Sequence, residues 1–213
     1  MRTTLILLAL AAVLTGCAED AADQAAFNVF RSDVTVGVMR LRSQFSEIEP
    51  ASPERDHACD RLLFELEARC DDDRQKQFLA NELAVELARS ETFKMYDRHV
   101  LSMGQHLLRE FPPEDPSFLI VLAKKVENAR SPDAPPIYRT TYSSLAVGII
   151  LNAVTYPNRV ETYNDRINYA QWERLHQWLT AHGKKLIYDP DIRKYRPKDQ
   201  PPAPKPPREA PEA

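Results

Sequence analysis

Along the chain, apolar residues return every three or four positions in segment after segment, the spacing that lines one face of an α-helix. Phe27, Phe30, Val34, Val38, Leu41, Phe45 and Ile48 form the first such row, closed by Pro50. Within it Val34, Val36 and Val38 alternate as on a strand, and Gly37 is a poor helix former. The helical row is several times longer than the alternating one and decides for helix. Ser52 and Pro53 then supply an N-cap and a first-turn proline, followed by Cys59, Leu62, Leu63, Leu66 and Cys70 on the same spacing. The run CDDDR at 70–74 breaks that helix and sets aspartates where the next helix presents its positive end. Phe78, Leu79, Leu83, Val85 and Leu87 continue it.

Ser90 is placed to cap a further helix with a regular stripe: Phe93, Tyr96, Val100, Met103, Leu107 and Phe111. PPEDP at 112–116 stops it. Asp115-Pro116 opens the next helix, with Phe118, Leu119, Leu122, Val126 and Ala129 inward. After a loop, SPDAPP, the segment SSLAVGIILNAV at 143–154 is apolar around nearly its whole circumference, the mark of a central helix covered on several sides. It is too short to span a bilayer. A last helix runs from about 168 to 182, with Tyr169, Trp172, Leu175 and Leu179 on one face. Gly183 follows where a left-handed C-cap belongs, and Lys184 and Lys185 suit a helix C-terminus. No internal repeat has a recognisable period. The expected fold is all-α: an irregular bundle or array of about six amphipathic helices over residues 27–195.

Two flanking segments do not read as fold. From Arg196 the sequence RPKDQPPAPKPPREAPEA holds seven prolines and almost nothing apolar, so 196–213 is expected to be a disordered, polyproline-type tail. At the other end, Arg2 precedes an unbroken apolar run from Leu5 to Leu14, the length of a signal-peptide core and about half of a membrane span. The run closes on Leu14-Thr15-Gly16-Cys17, and residues 18–26, AEDAADQAA, are polar and alanine-rich.

Charge, apolar core, Leu14-Thr15-Gly16-Cys17 and polar linker, in that order, resemble the signal and lipobox of bacterial lipoproteins. The resemblance covers the first 17 residues and implies nothing about the domain. It implies removal of residues 1–16 between Gly16 and Cys17, a diacylglycerol on the Cys17 thiol and an acylated amino terminus. Residues 17–26 would be a lipidated spacer. More than one acyl chain makes such an anchor stable. The resemblance also implies that Ala18, in place of an aspartate that retains such proteins in the inner membrane, favours the periplasmic side of the outer membrane in a Gram-negative host.

Composition removes several function classes. Without residues 1–16 the balance is 27 basic to 31 acidic residues, with no clustered basic face for nucleic acid. The remaining glycines, Gly37, Gly104, Gly148 and Gly183, stand alone and build no phosphate-cradling loop. No HExxH, G-x-S-x-G or S-x-x-K occurs, so no catalytic residue, cofactor or metal is assigned. His99 and His106 are about 10 Å apart on a helix, too far to share one ion. His106 and Glu110, one turn apart, make a surface contact rather than a site. His182 suits a helix C-terminus, and the runs at 71–73 and 113–115 suit caps better than calcium.

Once Cys17 is lipidated, Cys59 and Cys70 are the one pair left for a disulfide in an exported chain. Eleven residues of continuous helix separate them by ~16 Å, against the ~7 Å that a bridge allows. The bridge requires a helix end between them; otherwise both are buried thiols. Tyr138, Tyr142, Tyr156, Tyr163, Tyr169, Trp172 and Trp178 crowd the region before the tail. Tyr156, Tyr163 and Trp178 are the candidate interaction surface, since Trp178 lies off the inward stripe. The expected function is non-enzymatic: a lipid-anchored envelope protein that binds a protein partner as scaffold, adaptor or assembly factor. An immunity- or inhibitor-type lipoprotein shares every feature, and an envelope hydrolase with a dispersed Ser/His/Asp triad is the third reading.

Overall fold

The computed structural model describes residues 2–45, 53–90, 94–113, 115–130, 142–157, 162–163 and 166–200. Seven α-helices carry the fold among them: α1 (Arg2–Phe45), α2 (Pro53–Glu67), α3 (Asp73–Ala88), α4 (Met95–Glu110), α5 (Ser117–Ala129), α6 (Ser143–Ala153) and α7 (Tyr169–His182). Two antiparallel hairpins complete it, β1 (Thr162–Tyr163) with β2 (Arg166–Ile167), and β3 (Leu186–Asp189) with β4 (Lys194–Pro197). The class is all-α, as the periodicity predicts.

The alternating valines resolve as helix. Val34 and Val38 are buried while Val36 is 45 % exposed, a burial period that no strand produces. Gly37 has a packing reason. A Cβ there would lie 2.5 Å from Leu66 Cδ2, so the glycine lets α1 and α2 approach closely. On α3 the inward row is Leu79, Leu83 and Leu87, whereas Val85 points outward at 55 % exposure, against expectation. All five residues expected inward on α5 are buried. α6 buries Ala146, Val147, Ile149, Ile150 and Ala153 against α4 and α5, as befits a central helix.

Cross-helix contacts fix the directions. Gln24 meets Arg74, Thr35 meets Glu82 and Arg42 meets Glu86, so α1 and α3 run parallel. Asp33 with Arg69 and Gly37 with Leu66 make α2 antiparallel to both. Asp60 with His99 and Glu67 with His106 run α4 alongside α2. Lys125 with Asp97 turns α5 back, and Trp172 with Glu127 and Gly183 against Ile120 bring α7 down along it. The start of α3, the end of α4 and the β3–β4 hairpin consequently share one end of the bundle with the entry of α1, which we term the base.

Several expected boundaries move. α4 begins at Met95, with Asp97 Oδ2 accepting from the Lys94 amide at 2.9 Å; Ser90 instead lies just past the end of α3. Gly183 has φ −51°, not a left-handed angle, and enters a 3₁₀ turn to Lys185; its small size admits Ile120 Cδ1, 3.2 Å from where a Cβ would stand. The tail also starts later than expected. Arg196 and Pro197 belong to β4, Arg196 Nε donates to Asp189 Oδ2 at 3.0 Å, and the Lys198 amide reaches Lys185 O. Tyr195, fully buried beside the end of α6, pins that strand, with Thr155 N donating to its carbonyl. Residues 201–213, the rest of the tail, lie outside the described residues, as do Ile48, Ser52, Phe93 and the SPDAPP loop.

Candidate functional site: the N-terminal helix and the aromatic corner

Alanine, glutamate and glutamine are strong helix formers, and in the structure the helical backbone of α1 runs without a break through Gly16, Cys17 and the 18–26 segment. The expected spacer is therefore the first part of the helix that enters the core. Among the described side chains of α1, Gln24 is held to the body, its side-chain oxygen accepting from Arg74 Nη2 at 2.8 Å. The Arg74 guanidinium lies 3.7 Å from the Phe27 ring, and Phe27, Phe30 and Phe78 form an aromatic cluster with centroids 6.0–6.3 Å apart. No helix of the described residues is long and apolar enough to cross a membrane.

At the other candidate site the structure brings Tyr156 and Trp178 together, ring centroids 5.4 Å apart and edge-on. Both are half-buried and packed against the core, and the His182 ring also lies against Trp178, centroids 5.2 Å apart. Tyr163 sits in β1, and its side chain lies outside the described residues. Trp172 is fully buried, donates its indole N–H to Glu127, and stacks on His176 at 5.6 Å.

Between α5 and α7, Ile120, Ala123, Leu179 and Gly183 floor a groove of about 240 Å³, rimmed by Lys124, His176, Thr180 and Lys184. Drug-sized ligands need ~300–1,000 Å³. A broader hollow of about 590 Å³ is lined, among the described residues, by α2 and its C-terminal turn, including His57, Asp60, Arg61 and Phe64.

Several titratable groups cap helices or pair across them. Asp72 caps α3 by accepting from Gln75 N at 2.7 Å, and Asp115 accepts from both the amide and the hydroxyl of Ser117. His106 reaches across to Glu67 on α2, not along its own helix to Glu110, and His99 Nδ1 sits 2.9 Å from Asp60. Cys59 and Cys70 are not joined by a disulfide: Cys59 is buried within α2, and Cys70 lies just beyond its end with its thiol directed at Leu66 O. Burial, reinforced by the charge of Glu67, pushes the Cys70 thiol up to about 11. Among the described residues no three His, Cys, Asp or Glu side chains gather at metal-binding distance.

No protein-family model, curated protein or solved structure matches this chain.

Two buried ionic contacts escaped the sequence reading. Lys125 and Asp97 pair inside the core, and Glu86, 4 % exposed, is held by Arg42 and Arg89. Loss of water outweighs the attraction within the first pair, raising the Asp97 carboxyl and lowering the Lys125 ammonium from their ordinary values. Periodicity held the signal for one of them: Phe118, Leu122, Lys125 and Ala129 follow the four-three-four spacing of one inward row.

Proposed function

We propose that this is a lipid-anchored cell-envelope protein, acylated at Cys17, which acts by holding a protein partner near the membrane rather than by catalysis. One observation carries the reading: an apolar run of signal-peptide length closes on Leu14-Thr15-Gly16-Cys17. Two structural features support it. Residues 18–26 continue as helix into the packed domain, which gives the anchor a firm attachment to the body. Asp72, the His99–Asp60 contact and the Lys125–Asp97 pair use ionisable side chains for caps and helix-to-helix pairs, as a binding scaffold does. In a Gram-negative host, Ala18 favours the outer membrane, facing the periplasm.

The test is fractionation of cells expressing the full chain or its Cys17→Ser variant. The unaltered protein is expected in the membrane fraction with the mass of an acylated N-terminus, and the variant in the soluble or unprocessed fraction. A variant that is cut at the same bond and stays with the membrane would refute the anchor. Cross-linking in the native envelope then identifies the partner, and recovery of no specific protein would refute the interaction role.

A further inference from the structure

We infer that the bundle stands on the lipid leaflet by its base, the end that carries the β3–β4 hairpin, with the end bearing Asp97 and Glu86 directed away. The inference rests on the proposed acylation of Cys17 and adds an orientation to it.

The geometry follows from α1 alone. Helical backbone is continuous from Cys17 onward, and each residue advances ~1.5 Å. Gln24 is then ~10 Å from the anchored residue and Arg42 ~37 Å. Each lateral contact of α1 marks a height on that ruler. Arg74 meets α1 at Gln24 and Phe27, and Glu86 meets it at Arg42. The hairpin belongs to the lower level, because Arg193 in its turn pairs with Asp73, the neighbour of Arg74, at 2.5 Å. Arg193 also lies 4.8 Å from the ring of Phe111, at the end of α4. Arg193 holds φ 50°, a left-handed angle that a non-glycine residue adopts at a cost, and these two contacts fix it there.

Both signs of charge stand at the base: Arg74, Lys76 and Arg193 over phenylalanine rings with the exposed Lys184, Lys185 and Lys198, beside Asp71, Asp72, Asp73 and Asp191. The partner of this face is the headgroup layer itself, zwitterionic or anionic, brought close by the tether. The rival posture lays α1 on its side, since Val29, Val36 and Met39 are all exposed along one flank. Exposed Asp33 and Arg40 lie on that flank too, and laying it down would press both into the interface.

The experiment uses the acylated full chain, purified from membranes and reconstituted into phosphatidylcholine vesicles containing a headgroup nitroxide lipid. A fluorophore is attached in turn to Asp191→Cys at the base, Met39→Cys on the flank and Arg89→Cys at the far end. Mass analysis checks that one site is labelled, the native thiols being buried or held protonated. Quenching several-fold stronger at position 191 than at 39 or 89 is the expected result. Equal quenching at 191 and 39 would mean that the protein lies on its flank, and equal quenching at all three that it has no fixed posture; either overturns the inference. Vesicle flotation separates the two levels. Protein that floats with flat quenching defeats the orientation alone, and protein that does not float defeats the anchor and the orientation with it.

Discussion

The ammonium of Lys125 lies 2.7 Å from the carboxylate of Asp97, with 0 % and 3 % of the two side chains exposed. This pair ties α4 to α5 inside the core. Such a pair contributes little net stability, yet removal of one partner strands a buried charge and costs ~3–5 kcal/mol. Lys125→Met is therefore expected to lower the unfolding free energy by about that amount. The double variant Lys125→Met/Asp97→Leu should recover most of it. Urea denaturation of the three proteins checks both, and a double variant as unstable as the single one would show that the pair is a net stabiliser.

Cys70 gives a pH signature. Its thiol, held up at about 11 against an ordinary 9.0, keeps its proton in the folded state while the unfolded chain loses it. The contribution is thus complete below about pH 9 and is lost as pH rises toward 11. The fall in stability between those values should be shallower in Cys70→Ser. At pH 8 the thiolate fraction is roughly a hundredfold below that of an unperturbed thiol, so alkylation of Cys70 in the folded protein should be slower by a similar factor. Reaction at the rate of an unfolded control, or a mass gain of two hydrogens on reduction, would contradict the reduced, shielded thiol.

What the sequence made legible is what burial period encodes. The inward rows Leu79–Leu83–Leu87, Phe118–Leu122–Val126 and Trp172–Leu175–Leu179 read directly, because helix packing repeats every three or four residues. Hidden features were those fixed by tertiary neighbours. His106 chose Glu67 over Glu110, and Trp178 was covered by Tyr156 and His182. The β3–β4 hairpin went unread because each strand is four residues long. Its turn did carry a signal, Asp189-Pro190-Asp191, where Asp189 Oδ1 accepts from the Asp191 amide. How far a residue off an inward stripe is exposed was not legible either, since it depends on what an adjacent element covers.

The two informative glycines make opposite predictions. At Gly37 an added methyl meets Leu66 at 2.5 Å in the α1–α2 contact, an overpacking cost of ~1–3 kcal/mol against a helix-propensity gain of ~1 kcal/mol. Gly37→Ala is expected to destabilise. Gly183 has an ordinary helical φ and meets only the flexible end of Ile120, so Gly183→Ala should change stability by less than ~1 kcal/mol. A loss of ~1–2 kcal/mol there would instead indicate the left-handed cap that the sequence pattern suggests.

The boundary of the C-terminal tail is the last expectation that truncation can decide. Residues 201–213 are rich in proline and nearly devoid of apolar side chains, so a chain ending at Gln200 should melt at the temperature of the full protein. A chain ending at Arg193 loses β4, and with it the buried Tyr195, the Arg196–Asp189 pair and the carbonyl that receives Thr155 N. Loss of a buried aromatic alone costs ~3–5 kcal/mol, which for a domain of this size lowers Tm on the order of 10 °C. Tyr195→Ala in the full chain isolates that share and should account for most of the drop. If the chain ending at Arg193 melted with the intact protein, the hairpin would be an appendage rather than the cap of the bundle's base.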